Sequence, residues 1–339
     1  MIYLNKFDTH ASYEAELNVD GGLDISSPNV SYCEDVKDVH YTPCKFVRFY
    51  VGEISGTTPQ TVKIYTDATN YVDVQVSKGN KWYTYALPKD KGLHSIKSGV
   101  FNRDDGWTNS IVKKVAIKAN INYTYNTDDG INELLTIIPT STIEVSFNGS
   151  DTSKLIDMDG MFFGCGGLTS LNVSSFNTSE VLSMYCTFYG CIGLTSLNLS
   201  GWDTSKVINM NGMFTECSGL TSLTLSNFNT SNVTSFDIMF GGCTNLAHLD
   251  LSGWNISKAT SMAIMFGNCI GLKSLDLSGW DTSNVTNMNS MFAGCSNLGT
   301  IIMKGCSSET IDKIKAQLAK DNITGVTIDD GKTGVTITQ

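Results

Sequence analysis

Between residues ~142 and 306 the apolar positions recur every 26 residues. Leu194, Leu197 and Leu199 are followed by Trp202, Val207, Met210, Met213, Phe214 and Cys217. The same order runs from Leu220 through Leu223, Leu225 and Phe228, and again from Leu246 and Leu272, with Trp254 and Trp280 in the aromatic place. Cys165, Cys191, Cys217, Cys243, Cys269 and Cys295 keep the period with no insertion or deletion. A strict period of this length is the signature of a solenoid, whose coils bury their apolar side only by stacking on each other.

Within each coil, L-x-L alternation places two side chains on one face and the residue between them on the other, which is strand logic. Asp203-Thr204-Ser205 or Asn229-Thr230-Ser231 then turns the chain through side chain-to-backbone hydrogen bonds. The stretch V-x-x-M-x-x-M-F returns with spacings of three and four, which predicts a short helical or 3₁₀ arm. The expectation is an α/β solenoid with one continuous parallel sheet on its concave side, spanning roughly 30 Å at about 4.8 Å per coil.

The run Leu272-Lys273-Ser274-Leu275-Asp276-Leu277-Ser278-Gly279-Trp280-Asp281-Thr282-Ser283-Asn284-Val285, completed by Met288, Met291, Phe292 and Cys295, resembles the BspA-like leucine-rich repeats of gut and oral bacterial surface proteins. The resemblance covers about half the chain. It implies a recognition scaffold and adhesion to host matrix, mucin or other bacteria.

Four segments follow: a polar leader over 1–44, a β-sandwich over 45–127, the solenoid over 131–306 and a C-terminal cap over 307–339. The front domain is read from short β-rich runs at Phe46 to Val51, Thr61 to Tyr65, Val72 to Val76, Trp82 to Leu87 and Ile111 to Ile117. Ile131–Leu135 suggests a helix closing the first coil. In the cap, Ile311, Ile314 and Leu318 share a helical face that Ser307 or Ser308 can cap. Strands are expected at Ile323–Ile328 and Val335–Ile337. The leader, with Pro28-Asn29-Val30-Ser31-Tyr32-Cys33 and Val39-His40-Tyr41, resembles segments preceding β-domains in gut bacterial and bacteriophage-associated proteins.

The net charge is −10. Residues 151–300 hold four basic against ten acidic residues, a balance of −6, which disfavours nucleic acid and anionic lipid. No apolar run approaches a membrane span, and the Met1–Asp8 start is no secretion signal. The expected location is extracellular or cell-surface, with a phage virion as the alternative. The repeat accounts for six of ten cysteines, read as buried thiols with a disulfide ladder as the alternative; Cys33 and Cys44 stand apart and could bridge.

No phosphate loop, H-E-x-x-H, G-x-S-x-G or C-x-x-C occurs, so the chain reads as non-enzymatic and without a cofactor. His10, His40, His94 and His248 are scattered. Cys33, His40 and Cys44 lack zinc-site spacing and a fourth ligand. Asp203, Asp281, Asn177, Asn229 and Asn255 form a column too poor in carboxylates for calcium, which leaves turn-making. Trp202, Phe228, Trp254 and Trp280 read as a core spine, with a sugar-binding stripe as the alternative. Trp82, Tyr83, Tyr85 and Trp107 stay open between core and sugar-binding face.

The concave face remains. Its outward positions include Ser196, Asn198, Thr224, His248, Asp250, Ser274 and Asp276, small and polar and increasingly acidic toward the C-terminal coils. Lacking aromatic or Arg anchors, this face would bind a polar or basic partner through hydrogen bonds: a matrix or mucin protein, a glycan, or a bacterial receptor. A merely solvated sheet is the alternative.

Overall fold

The computed structural model describes residues 45–54, 60–87, 90–102, 106–108, 110–124 and 136–332. The chain divides into two compact units, Met1–Lys154 and Leu155–Gln339. The segment 1–44 and the places where a helix over 131–135, a Cys33–Cys44 bridge and a last strand were expected lie outside the described residues, as do His10 and His40.

The first unit is built from β1 (Phe46–Val51), β2 (Gln60–Tyr65), β3 (Tyr71–Val76), β4 (Lys81–Ala86), β5 (Ser95–Ser98), β6 (Val100–Asn102), β7 (Gly106–Thr108), β8 (Val112–Lys118) and β9 (Glu144–Ser146). These form sheets β4-β1-β8-β9 and β3-β2-β5, and a β6-β7 pair. Alternation sets the buried faces: Val47, Phe49 and Val51 on β1, Val62 and Ile64 on β2, Val115 and Ile117 on β8. β9 pairs in parallel with β8, Val145 opposite Val115. β5 carries no alternation: all four residues are buried, Lys97 among them, which hid it from a pattern reading.

The second unit is a β-solenoid, and its return arms differ from expectation. They contain no helix. In each arm alternate amides donate to the next coil: Met158 N to Ser183 O at 3.0 Å, Gly160 N to Tyr185 O at 2.8 Å, Phe162 N to Thr187 O at 2.8 Å and Gly164 N to Tyr189 O at 2.7 Å. The amides between them turn back three residues, as Met161 N to Met158 O at 3.1 Å and Cys165 N to Phe162 O at 3.2 Å. A helix would direct every amide inside the arm, whereas this alternation shares them between local turns and the neighbouring coil. Left-handed residues make it geometrically feasible, one column running Gly160, Cys186, Gly212, Ile238, Ile264 and Ser290.

The strand side also departs from expectation. Parallel pairing is confined to β10 (His248–Asp250), β11 (Ser274–Asp276), β12 (Thr300–Ile302) and β13 (Thr327–Asp329). The rungs at 170–172, 196–198 and 222–224 form no ladder. The arms therefore supply the continuous inter-coil ladder, marked by bridges through Asp157, Ser183, Asn209, Ser235, Ser261 and Asn287.

The core is a set of identical columns. Phe162, Phe188, Phe214, Phe240, Phe266 and Phe292 stack at 5.6–5.8 Å, each pair contributing about 0.5–1.5 kcal/mol beyond burial. Leu197, Leu223, Leu249 and Leu275 are buried from the strand side. α1 (Ser308–Lys320) closes the array, with Ser307 Oγ accepting from Thr310 N and Ile311, Ile314 and Leu318 buried. It is the one helix among the described residues, and no helix there is long and apolar enough to cross a membrane.

Candidate functional site

The inward columns are fully engaged. Trp202 Nε1 donates to Val173 O at 2.9 Å, and Trp280 Nε1 to Leu251 O at 3.1 Å. With Trp202, Phe228, Trp254 and Trp280 all buried, the aromatic column is a core spine and no exposed sugar stripe. Cysteines perform a parallel task. Cys191, Cys217, Cys243, Cys269 and Cys295 each point Sγ at the Phe carbonyl 29 residues earlier, at 3.0–3.2 Å. They are free, buried thiols, and burial pushes those of Cys217 and Cys295 up to about 12. Such thiols are poor nucleophiles.

The turns of most coils are stapled by two side chains. Asn177, Asp203, Asn229, Asn255 and Asp281 all accept through Oδ1 from the amide two residues on, at 2.9–3.1 Å, so this column makes turns. For Asp203 the bond from the Ser205 amide holds the carboxyl below its ordinary range. The threonine beside it, read at first only as a turn residue, bridges coils: Thr204 Oγ1 donates to Asn229 O at 3.1 Å and accepts from Asn229 N at 2.8 Å. Thr178 and Thr230 donate likewise, to Asp203 O and Asn255 O, both at 2.9 Å. The column Thr178, Thr204, Thr230 was visible in the repeat and is broken at Ile256.

The residues singled out on the strand side all reach solvent: Ser196, Asn198, Thr224, His248 and Asp250 are exposed, Ser274 and Asp276 half-exposed. They fall into two groups. Ser196, Asn198 and Thr224 line a shallow depression with Leu197, Leu199 and Ser200, where the rungs are unpaired. His248, Asp250, Ser274 and Asp276 sit on paired strands. There His248 lies opposite Ser274 and Asp250 opposite Asp276, with His248 Nδ1 2.6 Å from Ser274 Oγ. Two carboxylates directly opposite repel, and the pair concentrates negative charge on one face. Part of each side chain is already committed to a turn: Asn198, Asp250 and Asp276 accept from Ser200 N, Ser252 N and Ser278 N at 2.9–3.1 Å. One oxygen of each carboxylate is left outside that turn.

In the first unit Tyr83 and Tyr85 are buried core residues, Tyr83 Oη donating to Lys78 O at 2.8 Å. Trp82 is half-buried, edge-on to Tyr50 at 5.7 Å, with Arg48 over its ring at 5.3 Å. His94, which the sequence left unassigned, is wholly buried. Among the described residues no three His, Cys, Asp or Glu side chains gather as a metal site.

A family model described as "Mycoplasma protein of unknown function, DUF285" matches residues 138–222 and 187–304. No curated protein matches the chain. The two matched stretches overlap and together run the length of the coils, so the solenoid is similar to a repeat family to which no function is attached.

Proposed function

We propose that the chain is a non-enzymatic surface recognition protein that binds a protein or glycan partner through the strand side of its solenoid. The carrying observation is the repetition of solvent-facing polar side chains at fixed positions of successive coils, alternating with sealed leucines. A lattice held by turns and inter-coil bonds loses little freedom on binding, and the Asp250–Asp276 end suits a basic partner. BspA-like leucine-rich repeats, which the coils resemble, supply the expectation of host matrix, mucin or bacterial surfaces as targets, and of an extracellular location. The front unit, read as a β-sandwich, anchors or positions the solenoid.

The test is binding of labelled full-length protein to immobilised mucin, matrix proteins and intact gut bacteria, with an Asp250→Lys/Asp276→Lys variant alongside. Saturable binding weakened by the variant is the expected result. Binding confined to particular bacterial strains would shift the reading to a phage virion protein, and absence of binding to every surface would sink recognition.

A further inference from the structure

The strand that includes β5 holds two backbone segments on one edge. Leu93 N donates to Asn120 O and Asn122 N to Leu93 O, both at 2.8 Å, while Ile96 N donates to Ile137 O at 2.9 Å. Its two buried titratable side chains bind the same two segments. His94 Nε2 lies 3.0 Å from Thr124 O, and Lys97 Nζ donates to Thr136 O at 2.5 Å. A carbonyl only accepts, so Nε2 carries the proton and Nδ1, 3.1 Å from Ser95 Oγ, is the vacant base.

We propose that this is an acid-sensitive latch, in which protonation of His94 at Nδ1 releases residues 120–124 and 136–138 from the β5 strand. The second cation would be buried beside Lys97, which is itself 2% exposed. Three other groups bear on the ring. Asp67, from the turn after β2, favours the charged form more weakly than burial and Lys97 oppose it. Tyr123 lies with its ring 5.7 Å away, and Thr124 offers only its carbonyl and hydroxyl. Burial and then Lys97 push the His94 pKa down from 6.5 to about 4. An opened histidine regains its ordinary value, so opening takes up a proton between those limits. The open fraction therefore rises by up to about tenfold per pH unit as pH falls through that window, and no further below it.

Hydrogen exchange of the full chain from pH 7 to 3, corrected for intrinsic rates, tests this. Peptides covering 93–98, 120–124 and 136–138 should lose at least about tenfold protection between pH 6.5 and 4, with no loss of protection in coils 194–306. His94→Gln, neutral but still able to donate to Thr124 O, should flatten that profile. Retention of the acid step in His94→Gln would overturn the proposal, as would simultaneous loss of protection in the coils. Should His94→Gln fail to fold, the wild-type ring titration decides: an apparent pKa near 6.5 overturns the latch, and one far below it supports it.

Discussion

The amide of Phe292 donates to Asp321 Oδ2 across 2.8 Å. One coil earlier the equivalent amide, Phe266 N, donates to Met291 O at 2.9 Å. Asp321, the C-cap of α1, thus supplies the acceptor that a further coil would supply, while its Oδ1 accepts from Gln317 Nε2 at 2.9 Å.

Asp321→Ala leaves the Phe292 amide without an acceptor, at an expected cost of about 1–3 kcal/mol. Because coils are stabilised by their nearest neighbours, the loss should appear as fraying from the C-terminal end. Hydrogen exchange should speed up in the arm at 288–295 and stay unchanged in coils before residue 240. Uniform acceleration along the solenoid would contradict a capping role.

Thr204→Val keeps the shape of a buried side chain and removes its hydroxyl. Both Asn229 N and Asn229 O then lose their partner. Urea denaturation should show a loss of about 1–3 kcal/mol, against a near-neutral result for an exposed control such as Thr195→Val. Equal effects would mean that the bridge contributes nothing beyond packing.

Ile238 and Ile264 hold φ of 60° and 58°, which costs a β-branched residue roughly 1–2 kcal/mol. Each residue is about 40% exposed, so the burial of the rest offsets much of that strain. In Ile238→Gly the relief of strain is set against that lost burial and glycine's greater freedom in the unfolded chain, so stability should stay within about 1 kcal/mol of wild type. At the same place one coil earlier the opposite change, Gly212→Ala, should destabilise, since its Cβ would stand 2.8 Å from Cys186 Sγ. A loss in Ile238→Gly well beyond about 1 kcal/mol would show that the isoleucine is held by contacts stronger than the strain.

The coil was legible in the sequence because its core is periodic. Leu197, Trp202, Met213 and Cys217 could each be placed inward from the 26-residue register alone, and Ser307 with Ile311, Ile314 and Leu318 announced the capping helix. The arm was misread because V-x-x-M-x-x-M-F satisfies a helical spacing equally well; what separates helix from ladder is the left-handed column, which glycine marks at Gly160 and Gly212 and which Cys186, Ile238 and Ile264 conceal. The unpaired rungs before residue 248 were invisible for a related reason: L-x-L fixes which way side chains point, and says nothing of how closely coils approach. Ser196, Asn198 and Thr224 were placed on the solvent side from alternation, yet the Asx turns that occupy Asn198, Asp250 and Asp276 depend on local backbone geometry. The burial of His94 and Lys97 was not legible because buried polar residues leave no apolar period.

Asp159 gives the solenoid a pH dependence of its own. Burial raises its carboxyl above the ordinary 3.8, with Asp157 adding to the shift against the bond from Ser183. Its Oδ1 accepts from Ser183 Oγ at 2.5 Å and Tyr185 N at 2.7 Å, joining two coils. A carboxyl whose folded value is raised contributes stability that is complete below 3.8 and is lost as pH climbs through the folded value. Between those two values the solenoid should weaken as pH rises, the opposite sense to the His94 contribution in the first unit. Asn in place of Asp159 keeps an acceptor for Ser183 and Tyr185 and carries no charge. Asp159→Asn should therefore match or exceed wild type at pH 7 and lose the decline above pH 4, read from chemical denaturation followed by tryptophan fluorescence of the coils. A variant with the wild-type pH profile would assign that decline to other carboxylates.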